Sequence, residues 1–328
     1  MRTSVENLAP GWGAAVMGTA VISVVFTGLG ADLWAQIFLV VALLVALPVL
    51  GLTTWRCLRF PGAVAADLSN PVKGALFATF PGGFLVLATA LGRAGQLLFG
   101  SSAAIFLTYL FATVGALLAL AIGLWFLSDI FSRGGAAPPQ ITGAWFIPPV
   151  VTIIVPTALA PILTSPALYW LCWAFFGIGS LLYLIVLASL FFRSATAPFP
   201  PALLAPTLII GMGPAGLLAT NLVLLSRAGE RLGLGGLGPI GQVGAVSFWA
   251  FGLWWGLVSV LTIARAHRRL PYALTWWSFT FPLGAWVSSG LTIDVSLIRL
   301  TSTVGAVLLL LVWLTVVVFT GRDLVRSR

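Results

Sequence analysis

The sequence predicts an all-α integral membrane protein of ten transmembrane helices, and three observations predict it. Of its 328 residues, 60% are hydrophobic and only 7% are charged, with a mean hydropathy of +1.12. A soluble domain carries about 25% charged residues. Ten stretches are apolar over the ~20 residues that a helix needs to cross a bilayer. These stretches also alternate in character, one interrupted by proline and glycine, the next smooth.

The predicted spans are 9–28, 35–55, 73–91, 104–128, 145–163, 167–192, 201–225, 240–264, 274–292 and 297–320. Connections are short, so residues 1–328 read as one polytopic membrane domain. The N-terminal stretch Met1–Asn7 holds one Arg and one Glu and lacks a cleavage pattern, so the first span is expected to be retained. Twelve basic residues, among them Arg56, Arg59, Lys73, Arg133, Arg193, Arg265, Arg268 and Arg269, fall at the N-terminus or after even-numbered spans. The opposite side has Arg93, Arg227, Arg231 and Arg299. By the positive-inside rule both termini face the cytoplasm, which fits an even number of spans and a multi-pass protein of the plasma (inner) membrane.

The odd spans are the interrupted ones. The first has Gly11, Gly13 and Gly18, the third Phe80-Pro81-Gly82-Gly83, and the fifth Pro148, Pro149, Pro156 and Pro161. The seventh has Gly211–Gly216 around Pro214. The ninth, Trp276–Gly290, is uncharged and has Pro282 at its middle. Spans four, six, eight and ten have no proline, and only the second departs, at Pro48. Proline removes a backbone hydrogen bond and clashes with the preceding turn, at a cost of about 3 kcal/mol inside a helix. Membranes tolerate such breaks where neighbours or a cavity satisfy the freed groups. A hairpin of one broken and one smooth helix thus recurs five times in the same orientation, a parallel-repeat plan. The odd helices are expected inside and the even ones outside. The competing reading is a helical core with incidental prolines, since Pro and Gly are common in membrane spans.

No enzyme site is visible. His267 lies in the basic loop Arg265–Arg269 and reads as solvated or headgroup-facing. The seven acidic residues fall in loops or at span ends, without a metal-binding or nucleophile-elbow spacing. Gly229–Gly241 joins two membrane helices and follows no strand, so it is not a nucleotide loop. Cys57 and Cys172 suggest neither a disulfide nor a metal site, and no cofactor is expected. The net charge of +9 has no aromatic-interleaved basic cluster, which argues against nucleic acid.

No predicted span has an ionisable residue in its interior. Proton-coupled carriers, voltage sensors and cation-selective pores rely on such residues. A neutral lining of Gly, Pro, Ser, Thr and Phe can pass a small anion, assisted by the N-termini of broken helices. Phe281, a bulky ring beside Pro282 at mid-membrane, is then a candidate gate that closes a pore sterically and by dewetting. Phe80, Pro81, Gly18, Pro156, Pro214 and Pro282 are candidate pore-lining residues. Ordinary helix packing is the competing reading for Phe80.

Four stretches resemble the tellurite-resistance/dicarboxylate transporter family, which is related to the plant slow-type anion channels. They are Asn7–Trp12 through Met17-Gly18-Thr19, Trp145–Val150, Gly213-Pro214-Ala215-Gly216 and Trp276–Pro282. The resemblance implies five helical hairpins in a quasi-fivefold ring around a central pore, a homotrimer, and a pore occluded by Phe281. It also implies a substrate among small anions, dicarboxylates, sulfite or tellurite-type oxyanions. Two rivals stay open: an alternating-access carrier within the same fold, and a pore-less membrane enzyme or assembly subunit that depends on a loop carboxylate such as Asp129 or Asp294.

Overall fold

A computed structural model describes residues 5–326, and no strand occurs among the described residues. Arg2 and Arg328, which enter the charge tally, lie outside them. Nine helical stretches among the described residues are long and apolar enough to cross a membrane. They are Pro10–Gly28, Asp32–Arg59, Lys73–Ala94, Ser101–Ser132, Gly143–Ile162, Pro166–Thr196, Ala205–Arg231, Gly238–Ala266 and Ser296–Arg326. The remaining predicted span, 274–292, is helical in two pieces. A 3₁₀ segment, Leu274–Phe279, precedes an α-helix, Phe281–Thr292, with Thr280 between them. Neither piece alone has membrane-crossing length. Counted in chain order, 274–292 is the ninth of ten stretches.

The even stretches run past their predicted ends. The second, fourth, sixth, eighth and tenth are single α-helices of 28 to 32 residues. At 1.5 Å per residue they span about 42–48 Å, beyond a ~30 Å hydrocarbon layer. Nothing in their sequences stops them sooner. The fourth starts after Gly100, at φ +78°, and is followed by Gly134, at φ +83°. Pro48 does not interrupt the second, which continues from Asp32 to Arg59.

The first, fifth, seventh and ninth stretches change helix type near their N-terminal ends, and the third is an α-helix interrupted there by a turn. A 3₁₀ turn, Pro10–Trp12, leads into Gly13–Gly28, and Lys73–Phe77 is separated from Thr79–Ala94 at Ala78. Gly143–Phe146 leads into Ile147–Leu159, and Ala205–Gly211 into Met212–Arg231. Changing type leaves carbonyls that the α-ladder would have used, and buried carbonyls need donors. The even helices supply several. Tyr183 Oη donates to the Gly211 carbonyl at 3.1 Å, and Trp255 Nε1 to the Leu208 carbonyl at 2.9 Å. Indole donors also tie hydroxyls between stretches: Trp277 Nε1 donates to Thr320 Oγ1 and Trp313 Nε1 to Thr19 Oγ1, each at 3.1 Å.

Each odd stretch packs on the even one that follows it. The odd stretches also pack on one another: first on third, third on fifth, fifth on seventh, seventh on ninth, and ninth on first. In the odd membrane-length windows 72–89% of residues are buried, against 28–33% in the even ones. At the end that carries the termini, Asp67 accepts from Arg56 at 2.6 Å and from Lys73 at 3.1 Å, a cluster the sequence did not reveal. His267 is not simply solvated. Its Nε2 lies 3.0 Å from the Pro200 carbonyl, with the ring beside Phe199.

Candidate functional site

The break in the ninth stretch is held by close approach on both sides. Thr280 is fully buried, and its hydroxyl donates to the Trp277 carbonyl at 2.7 Å. A side chain at Gly18 on the first helix would start 2.0 Å from Thr280 Oγ1. One at Gly213 on the seventh would start 3.2 Å from Pro282 Cα. Two glycines therefore let the neighbouring helices grip the turn from which Phe281 begins its helix. Pro282 follows in the first helical turn, where its missing N–H costs nothing.

Two cavities meet at that ring. The wider, about 250 Å³, opens among the N-terminal ends of the odd stretches. Every odd stretch contributes to its lining, through Ala14, Thr79, Ile147, Ile210 and Ser278 among others. Lys73 is the one charged residue among the described residues that line it. The narrower cavity is about 20 Å³, room for roughly one water. It is lined by a pair of residues three apart on each odd helix: Val21 and Val24, Val86 and Thr89, Ile154 and Thr157, Leu217 and Thr220, Ala285 and Ser288. Residues i and i+3 share a helix face, so each helix presents one face inward. Among the described residues, the only further one lining the narrow cavity is Phe281, and it is the only one common to both cavities. It is 6% exposed.

Among the described residues, hydroxyls are the only side-chain polar groups that line the narrow cavity. Thr89 and Thr220 donate to the carbonyls four residues earlier, Leu85 and Gly216, at 3.0 and 3.1 Å. Thr157 donates to Asn221 Oδ1 at 2.9 Å, while Asn221 Nδ2 donates to the Ile153 carbonyl at 2.8 Å. That exchange ties the seventh helix to the fifth, beside the irregularity at Pro156. Among the described residues the lining of the narrow cavity has no ionisable side chain.

The predicted residues fall in different places. Phe281 lines both cavities, and Pro282 lines the wider one. Phe80, Pro81, Gly18, Pro156 and Pro214 line neither of the two. Phe80 sits edge-on between Phe77 and Phe84, with centroids 6.3 and 5.4 Å away. Gly18 faces Thr280 and Trp277. Pro81, Pro156 and Pro214 are buried within their helices. Sequence reasoning expected Ser and Thr in the lining but did not single out Thr89, Thr157, Thr220 and Ser288. The signal was present: Thr89, Thr157, Thr220 and Ser288 each stand seven residues beyond Gly82, Val150, Gly213 and Phe281, and aligning the odd spans at their breaks brings them together.

Residues 7–321 match a family model described as voltage-dependent anion channel, SLAC1. An uncharacterized transporter of Methanocaldococcus jannaschii is 29% identical over 301 residues, which cover 87% of this chain and 83% of that protein. A second from the same organism is 28% identical over 304 residues, covering 88% and 85%. A sulfite efflux pump of Trichophyton rubrum is 22% identical over 308 residues, covering 87% and 81%.

Proposed function

The chain belongs to the voltage-dependent anion channel family, and from that premise we propose that it is a multi-pass anion permease, passing anions passively through a neutral pore occluded by Phe281. The ten stretches pair as five hairpins in a quasi-fivefold ring, odd helices inside, with the pore along the faces that line the two cavities. The closed sequence of odd-to-odd packing supports this arrangement. Both termini lie in the cytoplasm, and the membrane is the plasma (inner) membrane.

One observation carries the reading: two cavities, built from the same five helices, have a single side chain in common, and it is a phenyl ring. In the wider cavity an anion meets the N-terminal ends of α-segments that begin at Thr79, Ile147, Met212 and Phe281, whose N–H groups carry partial positive charge. Lys73 stands at the entrance, in a cluster with Arg56 and Asp67 that carries one net positive charge. Past the ring, the space is too small for an ion with any water and mostly apolar, so passage requires the ring to swing aside. The freed volume then admits the ion between Thr89, Thr157, Thr220 and Ser288, and the hydroxyls of Thr89, Thr220 and Thr157 can turn towards it from the Leu85 and Gly216 carbonyls and from Asn221. With no titratable group among the described residues that line the narrow cavity, transport follows the anion's own gradient rather than a side-chain proton.

A second reading is an alternating-access carrier in the same fold, exporting dicarboxylate, sulfite or tellurite-type oxyanions. The relatives described as sulfite efflux pumps favour it. The homotrimer implied by family resemblance belongs to both readings. Currents through purified protein in planar bilayers, with chloride, nitrate and malate, separate the two. The channel reading expects an anion-selective current at least about tenfold larger in Phe281→Ala than in wild type. Absence of current in both, with saturable sulfite or malate uptake into liposomes, contradicts it and leaves the carrier.

A further inference from the structure

The end of the molecule opposite the termini holds four arginines, Arg93, Arg227, Arg231 and Arg299, where a membrane protein oriented by its positive charges has few. Three of them line one cavity of about 370 Å³: Arg93, Arg227 and Arg299, together with Thr292 and Asp294. They come from three different helices, at the ends of the third and seventh and the beginning of the tenth. Three guanidiniums against one carboxylate leave an excess of two positive charges in the lining. Among the described residues none of the three has a carboxylate within ion-pairing distance. Arg227 and Arg299 reach only carbonyls, of Thr292 and Gly28, both at 3.4 Å. Arg93 is half-buried, and among the described residues its guanidinium has no hydrogen-bond partner.

Like charges gathered in one cavity repel, and a guanidinium withdrawn from water without an acceptor is short of a counterion. The planar guanidinium fork matches the oxygens of an oxyanion. The cavity is also in register with the one behind the ring. Arg93, Pro161, Leu224 and Thr292 each lie four residues, one helical turn, beyond Thr89, Thr157, Thr220 and Ser288.

We propose that Arg93, Arg227 and Arg299 form a binding site for a small, doubly charged oxyanion at the mouth of the pathway remote from the termini. The site rests on the reading that the odd helices enclose an anion path, and adds to it the charge class that the outer mouth selects. Asp294 tempers its affinity, so that a bound ion can leave.

Sulfate, which is redox-stable, is the probe, titrated calorimetrically into full-length protein in detergent. Arg93→Gln weakens binding about tenfold, the scale of one charge-assisted contact, and the triple Arg→Gln variant abolishes it. Arg93→Lys, which keeps charge but loses the fork, falls between. Asp294→Asn tightens binding, a change of sign that misfolding cannot mimic. Unchanged sulfate affinity in the triple variant, or Asp294→Asn without tightening, overturns the proposal. The same proteins are then compared for flux with Phe281→Ala added. Sulfate binding that still needs the arginines, in a protein through which nothing flows, leaves the site standing and removes the pore reading alone.

Discussion

The fifth and sixth stretches adjoin in the chain and pack on each other, yet they are built on opposite principles. The fifth, Gly143–Ile162, has four prolines in 20 residues and 83% of its window is buried. The sixth, Pro166–Thr196, has one proline, at its first position, runs unbroken for 31 residues, and has 28% of its window buried. The more hydrophobic of the two is the more exposed, with mean hydropathy 2.3 against 1.8. In water that order would be inverted; in a membrane the outer surface meets lipid, and the interior is where irregular backbone and hydroxyls find partners. The same order of hydropathy and exposure holds for the first and second and for the third and fourth stretches, while the seventh and eighth keep the difference in burial without it. Helices that carry breaks are enclosed, and helices that enclose them are plain, with Tyr183 and Trp255 donating to carbonyls that the breaks release.

This comparison can be broken by substitution. The largest effect is expected from paired glycines. Gly18→Val on the first helix drives a side chain into Thr280 and Trp277 and costs about 3 kcal/mol of stability, at the upper end for overpacking. Gly123→Ala on the fourth, where a Cβ meets nothing within 4 Å, stabilises by about 0.5–1 kcal/mol through helix propensity. Thermal unfolding in detergent measures both, and equal effects would erase the distinction between inner and outer helices. A smaller difference is expected between neighbouring tryptophans. Trp255→Phe takes the 2.9 Å donor from the half-buried Leu208 carbonyl, leaves it only the longer Ser259 hydroxyl contact at 3.4 Å, and costs about 1 kcal/mol. Trp254→Phe, at a half-exposed position, changes stability by less than about 0.5 kcal/mol. The smallest is functional. In the Phe281→Ala background, Thr157→Val lowers anion flux about three- to tenfold by removing one hydroxyl contact, the net worth of a hydrogen bond, while Leu308→Ala on the tenth helix leaves flux unchanged.

Much of the architecture was legible because breaks leave residues behind. Pro282 and Pro214 lie within a few residues of where the ninth and seventh stretches change helix type, and Phe281 next to Pro282 lines both cavities. The 3₁₀ segments ahead of Ile147 and Met212 were not legible, because Ala, Thr and Ile fit either helix type and tertiary packing decided between them. Phe80 read like Phe281 from its dipeptide alone. Its ring is nevertheless taken up by Phe77 and Phe84, a choice set by rotation of the third helix that no local pattern encodes. The meeting of Arg93, Arg227 and Arg299 was equally hidden, since it joins residues more than 200 positions apart.

The most direct test of the central claim, that the Phe281 ring separates two compartments of one path, is thiol accessibility. Cysteines at Ser278 and at Ser288, placed singly in a Cys57→Ala/Cys172→Ala background, are exposed to a membrane-impermeant anionic thiol reagent from the side that carries the termini. Ser278→Cys reacts whatever stands at 281. Ser288→Cys stays unreacted while Phe281 is present and reacts when Phe281→Ala is added. Rapid labelling of Ser288→Cys from that side with the phenyl ring in place would contradict the account.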